Sequence, residues 1–166
     1  MDNQLSYFKN IRHFIFDIDG VLTDGGLIVH HDGVLLRSMY IKDGYALQLA
    51  IKKGYSVTII SGAKGDCLEK RFLGLGIDNV YLGIENKIEL LPTLLKKHQL
   101  NLSQTLYMGD DMPDLEMMKQ VALPTCPLDA CEEIQQVSKY ISPYGGGRGC
   151  VRDVVEKVLK LNSDWH

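Results

Sequence analysis

A chain of 166 residues with 45% hydrophobic and 23% charged residues can bury one core, and it is too short for two ordinary domains without a visible break. A net charge of −3 supplies no basic field for a nucleic-acid backbone, and nowhere do about 18 apolar residues run together as a membrane span requires. The opening MDNQLSYFKN has neither the basic flank nor the apolar stretch of a secretory signal, so a cytoplasmic protein is expected.

Along the chain, Phe14-Ile15-Phe16 reads as a buried strand that breaks into the glycine-rich turn FDIDGVLTDGG, residues 16 to 26. LIVHH-DG-VLLRSMYI then joins two apolar stretches through Asp-Gly and predicts a β-hairpin over 27–41. Asp43 is placed to cap a helix, GYALQLAIKK, that stops at Gly54. SVTII, residues 56 to 60, is a β-branched run of buried-strand type ending at Ser61-Gly62. A helix over 64–73 stops at Gly74, a strand over 79–82 follows, and 87–98 reads as an amphipathic helix in spite of Pro92. TLYM, residues 105 to 108, is a strand ending at Gly109-Asp110-Asp111. Helices over 115–120 and 129–137 bracket a strand at 121–124, and a last helix over 151–161 follows GGGRG. Strand and helix alternating in this way predict an α/β fold, a doubly wound parallel sheet in a single domain, with the hairpin as an extension.

Cys67, Cys126, Cys131 and Cys150 lack paired spacing and partnering histidines, which reads as buried thiols in a reducing compartment and argues against a zinc site. His30-His31 beside Asp32-Gly33 suggests a turn before it suggests a metal.

In an open parallel sheet, ligands bind beyond the carboxyl ends of the strands. Asp17 and Asp19 follow the first strand, Ser61-Gly62 follows SVTII, and Asp110, Asp111 and Asp114 follow TLYM, so three polar clusters fall at one edge. Two carboxylates at the end of a buried strand repel each other and lose hydration, a cost that a hard divalent cation such as Mg2+ relieves. Asp110 is placed to share that ion with Asp17. If the ion also holds a phosphate oxygen, Asp17 becomes an in-line nucleophile that forms an aspartyl-phosphate. Asp19, two residues on, could give a proton to the leaving alkoxide and later take one from water, a role that needs its pKa raised from the ordinary value of about 3.9. Ser61 and the Gly62 amide offer donors at a strand-to-helix turn, and Lys87 offers a full positive charge. Taken singly, Ser61 fits a helix cap as well as a phosphate ligand, and a lone helix lysine is commonly a solvated side chain.

DIDGVLTDG, a strand ending Ser-Gly, a lysine and GDDMPD, in this order, resemble the four motifs of the haloacid dehalogenase superfamily of phosphohydrolases. The resemblance implies a Rossmann-like core with Asp17 as nucleophile, Asp19 as general acid and base, and Ser61 and Lys87 on the transferring phosphoryl group. It places Mg2+ between Asp17, the backbone carbonyl of Asp19 and Asp110, supported by Asp111 or Asp114. The stretches between the motifs are too short for the separate cap domain that many members insert. Apolar residues on both faces of the expected hairpin would then need burial between subunits.

In these respects, and in IKDGYALQLAIKKGY, RFLGLGI, LYMGDDMPD and GGGRGCVRDVVEKVL, the chain is similar to the capless branch that contains 3-deoxy-D-manno-octulosonate 8-phosphate phosphatase. That resemblance implies a phosphorylated sugar acid as substrate, a place in lipopolysaccharide precursor synthesis, and a homotetramer whose hairpins pack together and whose neighbouring subunits help to close each active site. It leaves Gly145 to Gly149, with Arg148, two readings: a lid whose arginine meets a sugar carboxylate, or a loop before the last helix. Many members of the branch carry arginine after the Thr-Gly or Ser-Gly pair, where this chain has Ala63, and Lys64 and Arg71 are the candidates to replace it. Relatives acting on nine-carbon 2-keto-3-deoxy sugar acid 9-phosphates also differ here, which makes such a substrate the second reading. A receiver-like signalling module, the remote alternative, would place its lysine after the acceptor late in the chain, whereas Lys87 precedes the GDD cluster.

Overall fold

The computed structural model describes residues 4–166; Met1 to Asn3, the start of the stretch read for a secretory leader, lie outside them. Helix α1 (Gln4–Lys9) leads into β1 (His13–Phe16) and a tight turn at Ile18–Leu22. The hairpin strands β2 (Ile28–Val29) and β3 (Leu35–Leu36) come next, followed by α2 (Ile41–Lys52), β4 (Ser56–Ile60), α3 (Asp66–Leu73) and β5 (Asn79–Tyr81). The chain continues through α4 (Leu91–Lys97), β6 (Thr105–Met108), α5 (Leu115–Met118), β7 (Leu123–Cys126), α6 (Glu132–Val137), β8 (Tyr140–Ile141) and α7 (Cys150–Leu161).

Six strands form one parallel sheet in the order β5-β4-β1-β6-β7-β8. The chain winds outward from β1 through β4 to β5, then returns to β6 and runs outward on the other side, so the winding reverses beside β1. Alternation along β1 sends Phe14 and Phe16 into a core shared with α1, α2, α3 and α7, and Ile15 into a second core shared with α4, α5 and α6. All three side chains are fully buried, which contributes about 1.5–3 kcal/mol each. Helices on both faces of a parallel sheet are the expected doubly wound architecture. Among the described residues no helix is long and apolar enough to cross a membrane.

Several boundaries differ from the sequence reading for identifiable reasons. The hairpin pairs only Ile28 with Leu36 and Val29 with Leu35, since its tip is a wider turn in which Val34 N–H donates to the Asp32 carboxylate at 3.0 Å. His30 sits on that turn and pairs with Asp32 at 2.7 Å. Helix α2 begins at Ile41, ahead of the expected cap Asp43; that carboxylate is buried and instead accepts from the Arg152 N–H of α7 at 2.8 Å. Helix α3 begins after Gly65, whose φ of 137° no helix accommodates. The stretch 87–90 is a tight 3-10 turn, with the α-helix proper starting at Leu91 and tolerating Pro92 in its first turn. The α-helix after the GDD cluster covers only Leu115–Met118, preceded by a 3-10 turn at Met112–Asp114, and α6 starts at Glu132. Strand β7 lies two residues later than expected and includes Pro124, whose carbonyl still accepts from Lys139 N–H at 2.9 Å. Helix α1 and strand β8 have no counterpart in the sequence reading. Cys126 and Cys150 are buried as expected, whereas Cys67 is exposed.

The glycine-rich segment is a loop that leads into α7 through Gly149, as the second reading expected. Gly147 N–H donates to Val21 O at 2.9 Å, tying the segment to the turn that follows β1, and Gly146 N–H donates to Asp129 Oδ1 at 2.9 Å, tying it to the loop ahead of α6. A Cβ on Gly146 would lie 2.0 Å from Gly20 O, so the two backbones meet where no side chain fits.

Candidate active site

The ends of β1 and β6 bring the acidic groups together. Asp17, Asp110 and Asp114 each offer a carboxylate oxygen, and these oxygens all lie within 4.8 Å of one another. Two glycines make the approach possible. A Cβ on Gly20 would stand 1.9 Å from Asp110 Oδ2, and one on Gly109 would stand 2.4 Å from the Asp114 side chain. The GDD stretch thus needs its glycine for space, because Asp114 folds back over it.

Lys87 reaches this cluster from the turn after β5. Its Nζ lies 2.6 Å from Asp114 Oδ1 and 2.9 Å from Asp17 Oδ1, and only 2% of the residue is exposed. Asp114 is equally buried, and its remaining capacity is taken by the Tyr107 hydroxyl, which donates to Oδ1 at 2.6 Å, and by Asp110 N–H, which donates to Oδ2 at 3.2 Å. Three donors therefore converge on Asp114, which fixes the lysine. Asp17 Oδ1 is also buried, ion-paired to Lys87 but without a hydrogen bond of its own.

Crowding of carboxylates in a poorly hydrated cleft changes their acidity. Burial first, then the charge of Asp114, pushes the Asp17 pKa up to about 6 against the pull of Lys87. Burial, then Asp17, Asp114 and Asp111, raises Asp110 to about 7. Burial opposes the charge on Lys87, yet Asp114 and Asp17 outweigh it and hold its pKa above the ordinary lysine value. The Tyr107 hydroxyl is pushed well above its ordinary range by burial and by Asp114, so it stays a donor.

Two adjoining clefts open on these groups. One, of about 310 Å3, is lined by Asp17, Asp19, Asp110, Asp111, Asp114 and Pro113 among others. The second, of about 220 Å3, carries Asp17, Asp19, Ser61, Gly62 and Lys87, with Ala63 in its wall. Ser61 is buried at the end of β4, where its Oγ accepts from Ala63 N–H at 3.2 Å. Asp111 faces the first cleft, though its Oδ1 accepts from Met112 N–H at 2.8 Å and caps the next turn. A larger cavity of about 540 Å3 lies along α7, but its Arg148, Arg152 and Lys160 are tied to Asp24 and Glu156, and it holds none of the groups above.

Asp17, Asp19, Ser61, Gly62, Lys87, Asp110, Asp111 and Asp114 are thus gathered at one edge, whereas three expected substrate contacts lie apart. The Lys64 stem packs on Gly83, the Arg71 guanidinium lies against Gly44, and Arg148 is exposed beside Asp24 at 3.4 Å. Sequence reasoning missed two residues. Tyr107, in the TLYM strand, supports Asp114 through its hydroxyl. Arg37, the lone charge in VLLRSMYI, makes two hydrogen bonds to Asp19, Nε to Oδ1 at 2.6 Å and Nη2 to Oδ2 at 3.0 Å.

Residues 83–149 match the haloacid dehalogenase-like hydrolase family. The chain is 35% identical over 151 residues to the 3-deoxy-D-manno-octulosonate 8-phosphate phosphatase of Escherichia coli K12, covering 91% of this chain and 80% of that protein. It is 34% identical over 158 residues to the enzyme of the same name from Yersinia pestis, covering 95% of this chain and 84% of that one. Among solved structures, that phosphatase from Moraxella catarrhalis, in complex with magnesium ion, phosphate ion and KDO, is similar with a TM-score of 0.93 at 33% identity, over 99% of this chain and 95% of that chain. The cobalt-bound form of the Haemophilus influenzae phosphatase gives a TM-score of 0.91 at 28% identity, over 96% of this chain and 93% of the other.

Proposed function

The chain belongs to the haloacid dehalogenase-like hydrolases, in the family of 3-deoxy-D-manno-octulosonate 8-phosphate phosphatases, and from that premise we propose that it hydrolyses this eight-carbon sugar acid phosphate to the free sugar acid and phosphate, a step in lipopolysaccharide precursor synthesis. The observation that carries the reading is the convergence of Asp17, Lys87 and Asp110 at the point where the sheet reverses its winding, with Asp19 beside them.

Asp17 is the nucleophile. Its carboxylate attacks phosphorus in line, so that a bond from Asp17 oxygen to phosphorus forms as the bond from phosphorus to the ester oxygen breaks. Asp19 gives its proton to that ester oxygen, which leaves as the sugar hydroxyl. Water then attacks the aspartyl-phosphate, the bond to Asp17 breaks, and Asp19 takes the proton from the water. Ser61 Oγ, the Gly62 amide and Lys87 Nζ hold the non-bridging oxygens, and Lys87 keeps its place for this through Asp114.

The donor set suits a hard divalent cation: oxygens crowd together, one buried Asp17 oxygen has no hydrogen bond, and no sulfur or imidazole intrudes. Asp17, the Asp19 carbonyl and Asp110 would hold Mg2+, with Asp111 or Asp114 in support. When bound, Mg2+ supplies the positive charge that lets a phosphate dianion approach Asp17. The whole chain acts as one domain in the cytoplasm, a location consistent with its four free thiols. It assembles as a homotetramer through the hairpin, whose Ile28 and Val29 are 68% and 72% exposed. In that assembly Arg148 is available to the sugar carboxylate in a neighbouring site, and Lys64 and Arg71 lie outside the phosphate cleft. A nine-carbon sugar acid 9-phosphate is the second reading, favoured by Ala63 in the wall of that cleft.

Phosphate release with Mg2+ and with a chelator, for the wild type and Asp17→Asn, tests the reaction. Asp17→Asn is expected to lose at least about 1,000-fold in kcat while keeping its far-ultraviolet circular dichroism, since no other group forms the covalent intermediate. Substantial residual turnover by that variant would remove Asp17 from its role.

A further inference from the structure

Arg37 leaves the hairpin at its base, and its side chain is only 8% exposed although the apolar residues around it on the ribbon are open to solvent. Its fork engages both carboxylate oxygens of Asp19, and among the described residues these are the only hydrogen bonds that carboxylate accepts. A two-point contact of this kind fixes the plane as well as the position of a carboxyl group. Asp19 lines both clefts, as Asp17 does, whereas Arg37 lines neither.

We propose that Arg37 is a positioning residue for proton transfer: from the base of the hairpin it aims the Asp19 carboxyl group at the ester oxygen in the first step and at the attacking water in the second. This rests on Asp19 being the proton donor, as read above. Proton transfer by a placed side chain contributes about 100- to 10,000-fold, and a badly aimed carboxyl group forfeits part of it.

The leaving group separates this role from general support of the fold. An alkyl phosphate expels a strongly basic alkoxide and depends on the proton, whereas p-nitrophenyl phosphate expels a stabilised anion and depends on it little. kcat and KM are measured for Arg37→Ala, Arg37→Lys and Asp19→Asn on three esters: the eight-carbon sugar acid phosphate, glucose 6-phosphate, which has no carboxylate, and p-nitrophenyl phosphate. Arg37→Ala is expected to lose at least about 10-fold more kcat/KM, which reports the steps up to departure of the ester oxygen, on both alkyl esters than on the aryl ester. Arg37→Lys should recover only part of the loss, because an ammonium cannot span both oxygens, and added guanidinium should restore some alkyl turnover to Arg37→Ala. Equal losses of kcat/KM on all three esters, no loss, or a loss confined to the sugar acid would overturn the proposal. If Arg37→Ala does not fold, Arg37→Gln, which keeps most of the stem, carries the same comparison. Asp19→Asn tells the two readings apart: a loss that ignores the leaving group removes Asp19 as the donor, whereas a selective loss without one in Arg37→Ala removes only the role of Arg37.

Discussion

At the scale of single residues, the chemistry of this site is set by how close its carboxylates stand. Asp17 at about 6 and Asp110 at about 7 both lie above the ordinary carboxylate value of 3.8. A carboxyl group whose folded pKa is raised holds a proton that the unfolded chain has released, so stability falls as pH rises between the two values. For the metal-free protein the window runs from about pH 4 to about pH 7 through these two groups. Chelator-treated protein is therefore expected to melt at a lower temperature at pH 7.5 than at pH 5, with the slope reduced in Asp110→Asn. Added Mg2+ should raise the melting temperature more at pH 7.5, where its ligands are ionised. A Mg2+ shift of the same size at both pH values would contradict this assignment. The aspartates and Ser61 were legible in the sequence because they follow the apolar runs of β1, β4 and β6, and Lys87 because it stands at the start of an expected helix between them. Arg37 and Tyr107 were not, since their partners, 18 and 7 positions away, are brought within reach only by the folded structure.

At the scale of elements, the sheet needed little beyond composition. Phe14-Ile15-Phe16, SVTII and TLYM are apolar or β-branched runs too short for helices, and each ends in polar residues where the structure ends the strand. Boundaries slipped where local pattern was overruled by pairing with a neighbour. Leu123 is opposite Leu106 and Thr125 opposite Met108, which carries β7 past the expected end at Pro124, and Asp43 serves the start of α7 in place of its own helix. The glycine-rich segment is the clearest case, for four glycines within five positions suggest freedom, yet two of them are required for close packing on the turn after β1. Gly146→Ala should consequently displace that turn, lowering both melting temperature and kcat. Because the added methyl group has no flexible neighbour to push aside, the expected stability loss is in the overpacking range of about 1–3 kcal/mol. A variant with wild-type stability and turnover would mean that this contact does not hold the site.

At the scale of the whole molecule, the hairpin is the unfinished part of the chain. Ile28, Val29, Leu35, Leu36 and Ile41 are all exposed, and a ribbon of two-residue strands does not hold itself together in water. Association of chains through this ribbon would cover the patch and, through Arg37, would link assembly to the orientation of Asp19. Val29→Asp is expected to shift the protein from tetramer toward smaller species in light scattering coupled to size-exclusion chromatography. An unchanged tetramer, or a monomeric wild type, would contradict the placement of the interface. The architecture itself was legible from the alternation of strand and helix, whereas nothing in one chain's pattern specifies which copies meet or what crosses between them.

The central claim is the identity of the substrate, and relative kcat/KM with Mg2+ tests it most directly. The eight-carbon and nine-carbon sugar acid phosphates would be compared with glucose 6-phosphate in one assay of phosphate release. A kcat/KM at least about 10-fold higher for the eight-carbon acid is expected, a difference of the size that pocket contacts supply. A preference for the nine-carbon acid would contradict the claim while leaving the reacting groups in place, and equal turnover of all three would deny that the site selects a sugar acid.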